Sequence, residues 1–179
     1  MNILLIDNND SFTRNLEHLL ATAVDEATVH VEPYANLQGL SLEGHDILVV
    51  SPGPGATADY PGYARVFDSG KPVLGVCLGM QLINTHFGGS TDRLPGCVHG
   101  QAENIVFHDR TVTVARYHSL YCSSVGRELN VTARNFQGVP MALEHRDRPL
   151  LGYQFHPESF LTVGGEQFVH HALRFSHLA

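Results

Sequence analysis

Short apolar runs alternate with stretches of helical spacing through the first half of the chain. Residues 2–6 (NILLI) read as a buried strand, followed by the polar turn Asp7-Asn8-Asn9-Asp10-Ser11. That turn is rich in residues that cap helices, and Phe12, Leu16, Leu19, Leu20 and Ala23 then recur at helical spacing. Residues 28–32 (TVHVE) and 46–50 (DILVV) predict two more strands. Ser51-Pro52-Gly53-Pro54-Gly55 breaks the chain after the third strand. A helix is predicted over about 60–69, ended by Gly70-Lys71-Pro72, then a strand over 73–76 (VLGV) and a helix from Leu78 to about Phe87.

The second half is richer in strands, at 104–107, 111–116, 129–134 and 150–155, and closes with a helix after Gly164-Gly165 that places Phe168, Ala172 and Phe175 on one face. Strands alternating with helices predict an α/β fold, a doubly wound, mainly parallel sheet with helices on both faces. Ligands of such sheets bind beyond the carboxyl ends of the strands, where both the Ser51–Gly55 turn and Cys77 fall. No internal repeat, linker or low-complexity segment divides residues 1–179, so a single domain is expected.

Composition narrows the function classes. The chain has 179 residues, 43% hydrophobic and 16% charged, enough for a real core. A formal net charge of −7, with Lys71 the only lysine and the arginines scattered, argues against nucleic acid. The amino-terminal apolar run is too short for a signal peptide and lacks a basic lead, and no run is long enough to cross a bilayer. A cytoplasmic location is therefore expected. Cys77, Cys97 and Cys122 are an odd number at wide spacing, neither a disulfide framework nor a zinc pattern.

Three local patterns carry candidate chemistry. In Gly75-Val76-Cys77-Leu78-Gly79 a strand runs into a cysteine flanked by glycines, the pattern of a nucleophile elbow. There a helix N-terminus favours a thiolate, and the Leu78 N–H points toward an oxyanion. The same pattern also fits a buried cysteine at a tight turn. His156-Pro157-Glu158 places a base and a carboxylate two residues apart, on one side of an extended segment. Glu158 then orients His156, or both face one site, while His156 deprotonates Cys77. Ser51–Gly55 reads either as a structural turn or as a loop where substrate approaches backbone, its Gly53 N–H completing an oxyanion hole with Leu78.

Ser51–Gly55, Gly75–Gln81, Arg116-Tyr117-His118-Ser119-Leu120 and Gln154–Ser159 together resemble the class I glutamine amidotransferase family, in the family's order and over most of the chain. The opening Leu5–Thr13 is similar to the small subunits of anthranilate synthase and 4-amino-4-deoxychorismate synthase. The resemblance implies a flavodoxin-like fold and a γ-glutamyl thioester formed on Cys77, with His156 as base and then acid and Glu158 supporting it. It also implies an oxyanion hole from Gly53 and Leu78, and glutamine held by Gly53, Pro54, Gly55, Gln81, Ser119 and Leu120. Gln81 stands one helical turn after Cys77, which independently puts both on one face.

The chain departs from the family at Asn9, where tyrosine is usual, at Gln101, where lysine is usual, and in a shortened segment from His99 to Arg116. These bear on the partner rather than on the triad. The implied partner is a chorismate-binding synthase that uses the ammonia. No cofactor is expected.

Several features are assigned bland roles. His170, His171 and His177 are not expected to bind metal, because adjacent residues diverge and no carboxylate completes a set. Asp7 is read as a strand-end residue and Asp10 as a helix N-cap. Cys97 and Cys122 are read as packing residues, and His118 beside Ser119 lacks an oxyanion loop. A stand-alone γ-glutamyl hydrolase is the enzymatic alternative, and a non-catalytic partner-binding protein the other.

Overall fold

The apolar runs of the first half form the parallel part of a nine-stranded sheet in a computed structural model, which describes residues 1–94, 100–117 and 119–179. Cys97 and His118 lie outside the described residues. In chain order the first elements are β1 (Asn2–Asp7), α1 (Thr13–Ala23), β2 (Thr28–Pro33), β3 (Ile47–Val50), α2 (Ala64–Phe67), β4 (Val73–Val76) and α3 (Leu78–His86). Then follow β5 (Ser90–Arg93), β6 (Gln101–Phe107), β7 (Arg110–Arg116), β8 (Leu120–Ser124) and β9 (Leu129–Asn135). The last are β10 (Pro140–His145), β11 (Leu150–Tyr153) and α4 (Glu166–Phe175).

The sheet order is β2-β1-β3-β4-β11-β10-β9-β6-β7. From β2 to β11 every pairing is parallel, and from β11 to β7 every pairing is antiparallel. The fold is thus α/β, with its parallel part wound by helices on both faces. Leu16 and Leu20 of α1 and Phe168 and Ala172 of α4 pack on one face with Ile3 and Leu5, while Phe67 of α2 and Ile83 of α3 pack on the other with Leu4 and Ile6. Strand β1 feeds both layers, which is why its run is continuously apolar instead of alternating.

The structure corrects several expected elements. The helix expected over 60–69 shrinks to Ala64–Phe67, because Gly62, at φ +101°, sits in the turn before it. The last strand stops at Tyr153 rather than 155. Strands β5, β8 and β10 were not expected. Strand β5 (STDR) contains no apolar residue, and β10 is buried along almost its whole length and so lacks alternation. The α1 N-cap position falls at Phe12 and carries no side-chain cap. Asp10 instead accepts from the Phe12 N–H at 3.3 Å, and Asp7 accepts from Thr13 Oγ1 at 2.7 Å, so the two carboxylates brace the turn between β1 and α1. Cys122 is buried in the α3-side core. No helix among the described residues is long and apolar enough to cross a membrane.

Candidate active site

The carboxyl ends of β1, β3, β4 and β11 converge, and each releases a segment that lines or supports one cavity of about 500 Å³. Cys77 follows β4 directly. Its φ of 53° and ψ of −101° are a strained backbone for a residue with a side chain, at a cost of about 1–3 kcal/mol. The surrounding structure holds it there: its N–H donates to the Tyr153 carbonyl at 2.7 Å, and its carbonyl accepts from the Gln81 N–H at 3.2 Å.

The flanking glycines serve this elbow through close approach, while the positive φ belongs to Cys77 itself. A Cβ on Gly75 would lie 2.5 Å from the Gly79 carbonyl carbon, and one on Gly79 would lie 2.4 Å from the Val50 carbonyl oxygen. Only with both side chains absent does the first turn of α3 rest on β3 and β4. Leu78 is the first residue of α3, so its N–H belongs to the free helix N-terminus beside Cys77.

His156 and Glu158 meet across a turn, which corrects the expected extended segment. The His156 carbonyl accepts from the Ser159 N–H at 3.3 Å, closing a four-residue turn with Pro157 and Glu158 at its centre. The turn brings His156 Nδ1 to 2.6 Å from Glu158 Oε1, so Glu158 orients the imidazole. The His156 side chain is 3% exposed and that of Glu158 0%. Thr162 braces the pair, donating its hydroxyl to the His156 carbonyl at 2.6 Å and accepting the Ala115 N–H at 2.9 Å.

His156 Nε2 is buried and makes no hydrogen bond of normal geometry among the described residues, while the ring borders the cavity that Cys77 also lines. Burial alone would disfavour imidazolium. The Cys77 thiolate beside the ring and the Glu158 carboxylate behind it outweigh that effect and hold the His156 pKa well above its ordinary value. The arrangement therefore favours a proton on His156, next to the Cys77 sulfur.

Gly53, Pro54, Gly55, Cys77, Leu78, Gln81, Ser119, Leu120 and His156 all line the cavity, with Glu158 behind His156. Buried Asn8 ties the Ser51–Gly55 loop to the end of β1. Its N–H donates to Ser51 Oγ, its Nδ2 to the Ser51 carbonyl, and its Oδ1 accepts from the Tyr63 hydroxyl. The Tyr60 hydroxyl reaches the Asn8 and Pro54 carbonyls from below. Gly53 itself is wedged against Asn8 and the Leu78 side chain, where any Cβ would clash at 2.7 Å.

Other site residues escaped the sequence reading. Asn9, Asp10, Ser11, Phe12 and Tyr117 also line the cavity. Burial pushes the Asp10 carboxyl pKa upward. Gln154, fully buried, donates from Nε2 to Cys77 Sγ at 3.6 Å and accepts from Gln81 Nε2 at 3.1 Å, while Gln81 Nε2 also donates to the Leu120 carbonyl. Its place at the head of the Gln154–Ser159 motif was the only signal. Tyr117 packs its ring 5.0 Å from that of His156 and shares a hydrogen bond with Ser159.

No set of metal-ligand groups lies in the cavity among the described residues. Among the described residues the one cluster with ligand spacing is His108, Glu144 and His171. Glu144 Oε1 stands 3.4 Å from His171 Nε2, which corrects the expectation that no carboxylate accompanies this histidine. His170 turns away to the Ala23 carbonyl.

Comparison with known proteins agrees with this geometry. The model of the glutamine amidotransferase class-I family matches residues 4–174. An aminodeoxychorismate synthase of Streptomyces griseus is 41% identical over 184 residues, covering 94% of this chain and 25% of that protein, so the chain spans about a quarter of it. Anthranilate synthase component 2 of Halobacterium salinarum is 38% identical over 192 residues, covering 94% of this chain and 95% of that protein. A glutamine amidotransferase of Thermotoga maritima, known from its crystal structure, superposes with a TM-score of 0.69 at 16% identity, over 88% of this chain and 76% of that one, a likeness of fold.

Proposed function

This chain belongs to the class I glutamine amidotransferase family, and from that premise we propose that it is the glutaminase component of a chorismate-aminating synthase, with Cys77, His156 and Glu158 as its triad. The observation that carries the reading is the convergence of Cys77 and His156 on one cavity, with His156 held by buried Glu158.

The Cys77 thiolate attacks the side-chain carbonyl carbon of glutamine, and the oxyanion is stabilised by the Gly53 and Leu78 N–H groups. The tetrahedral intermediate collapses as His156 gives its Nε2 proton to the leaving nitrogen, releasing ammonia and leaving a γ-glutamyl thioester. His156, now neutral, takes a proton from water as the resulting hydroxide attacks the thioester. Glutamate departs, and the thiolate and imidazolium are restored. Gly55, Pro54, Gln81, Ser119 and Leu120 hold the glutamine, and no cofactor takes part. The whole chain, residues 1–179, acts as a single amidotransferase domain in the cytoplasm.

The relatives named for aminodeoxychorismate and anthranilate synthases support a chorismate-binding partner. Direct transfer to it has a physical motive: ammonia in bulk water near neutral pH is largely protonated and ceases to be a nucleophile, and a sealed route prevents that loss. The test is glutamate release from glutamine, measured with and without candidate chorismate-binding synthases, with Cys77→Ala as control. Release that needs Cys77 and rises with one synthase is expected. Release indifferent to every synthase, with activity on other γ-glutamyl compounds, would replace this reading with a stand-alone hydrolase. Release that survives Cys77→Ala would overturn the triad.

A further inference from the structure

Outside the cavity, the turn between β6 and β7, strand β10 and helix α4 bring three metal-ligating side chains together from distant parts of the sequence. His108 Nε2 lies 2.8 Å from His171 Nε2, and His171 Nε2 lies 3.4 Å from Glu144 Oε1. All three ligand atoms fall within 4.8 Å of one another. We propose that His108, Glu144 and His171 form a binding site for a divalent transition-metal cation of the zinc class, separate from the glutaminase centre.

Three features favour a metal site over a chance meeting of side chains. The first is spacing. Ligands about 2.0–2.1 Å from a tetrahedral ion stand roughly 3.3–3.4 Å apart. One existing separation already has this value, and the 2.8 Å contact opens by a small shift of His108, which is exposed at the turn tip. The turn is tightly defined, with His108 and Asp109 both at positive φ, 46° and 61°.

The second is the orientation of His171. The Tyr153 hydroxyl donates to the Phe168 carbonyl at 3.1 Å and sits 2.7 Å from His171 Nδ1. These contacts hold the His171 ring so that its Nε2 faces His108 Nε2 and Glu144 Oε1. That is the outer support a ligating histidine uses.

The third is charge and donor type. Two imidazoles and one carboxylate suit zinc and leave a fourth position open to water. Glu144 stands in register with Leu151 near the start of β11, whereas Cys77 follows Val76, which is in register with Tyr153 at its end. The site therefore lies toward the opposite end of the strands from the nucleophile. Its ion would tie the β6–β7 turn to α4 and stabilise the fold by mass action.

The test uses the full chain carrying Cys77→Ala, so that the nucleophilic thiol does not bind the probe. Zinc is titrated by calorimetry, and cobalt by its visible absorption, in this background and with His108→Ala or Glu144→Gln added. One saturable zinc equivalent is expected, weakened at least tenfold by either addition. Zinc should also raise the melting temperature of the background but not of the His108→Ala protein. His108 is exposed, so its variant folds whether or not the site exists. Zinc binding unchanged by both substitutions, or no saturable binding, would overturn the site, and neither result bears on glutaminase activity.

Discussion

At the scale of single residues, the proposed chemistry depends on where one proton rests. Glu158 is buried beside His156 Nδ1 and, together with the Cys77 thiolate, holds the imidazole protonated above its ordinary range. In the proposed mechanism His156 protonates the leaving ammonia; because its pKa is raised, that proton is still present as the pH climbs past 6.5, and it is lost only when the pH passes the raised value. The alkaline limb of kcat/KM against pH should therefore lie well above 6.5 in the parent. Glu158→Gln removes one of the charges holding the proton, so the limb should move toward neutrality, and kcat should fall about 10²–10⁴-fold as His156 loses its orientation. A limb that stays in place would show that Glu158 does not govern His156. In histidine-labelled protein, Cys77→Ser should likewise lower the His156 pKa read by NMR.

At the scale of elements, the elbow shows how much of the site was legible. Gly75-Val76-Cys77-Leu78-Gly79 announced a strand, a turn and a helix, and all three are present because short branched runs, glycines and helical spacing are local signals. Gln154 and Asn8 were not legible as site residues, since a buried amide that braces a loop looks like any other polar residue until its partners are known. The polar strand β5 and the buried strand β10 were missed for the same reason: their partners, not their own patterns, make them strands. The purpose of the glycines was also hidden. A methyl on Gly79 meets the Val50 carbonyl oxygen at 2.4 Å, backbone of a central strand that has nowhere to go. Gly79→Ala should therefore cost about 1–3 kcal/mol in urea unfolding and lower glutaminase activity by displacing Cys77. Gly39→Ala, with nothing within 4 Å, should stay within about 0.5 kcal/mol of the parent. Equal effects at the two positions would show that close approach is not what the elbow requires.

At the scale of the molecule, the sheet changes character at β11, and the two halves answer to different chemistry. The parallel half ends in Cys77 and the loops around it, whereas the antiparallel half gathers titratable groups around α4. His171 is the clearest of these: burial, then the charges of His108 and Arg174, push its pKa down to about 4 from the ordinary 6.5. The folded chain thus keeps this ring neutral over a range where the unfolded chain protonates it. As the pH falls below 6.5 the unfolded state takes up the proton first, so stability present above 6.5 is lost progressively down to about 4. The neighbouring Glu144 carboxyl, whose pKa burial raises, contributes with the opposite sign, so the raw acid profile mixes the two. Comparing urea midpoints of the parent and His171→Gln between about pH 7 and about pH 4, with a chelator present, separates them. The parent should lose more stability over that interval than the variant does. Parallel profiles would mean that the imidazole titrates alike in the folded and unfolded chains, and that α4 is not anchored through a neutral His171.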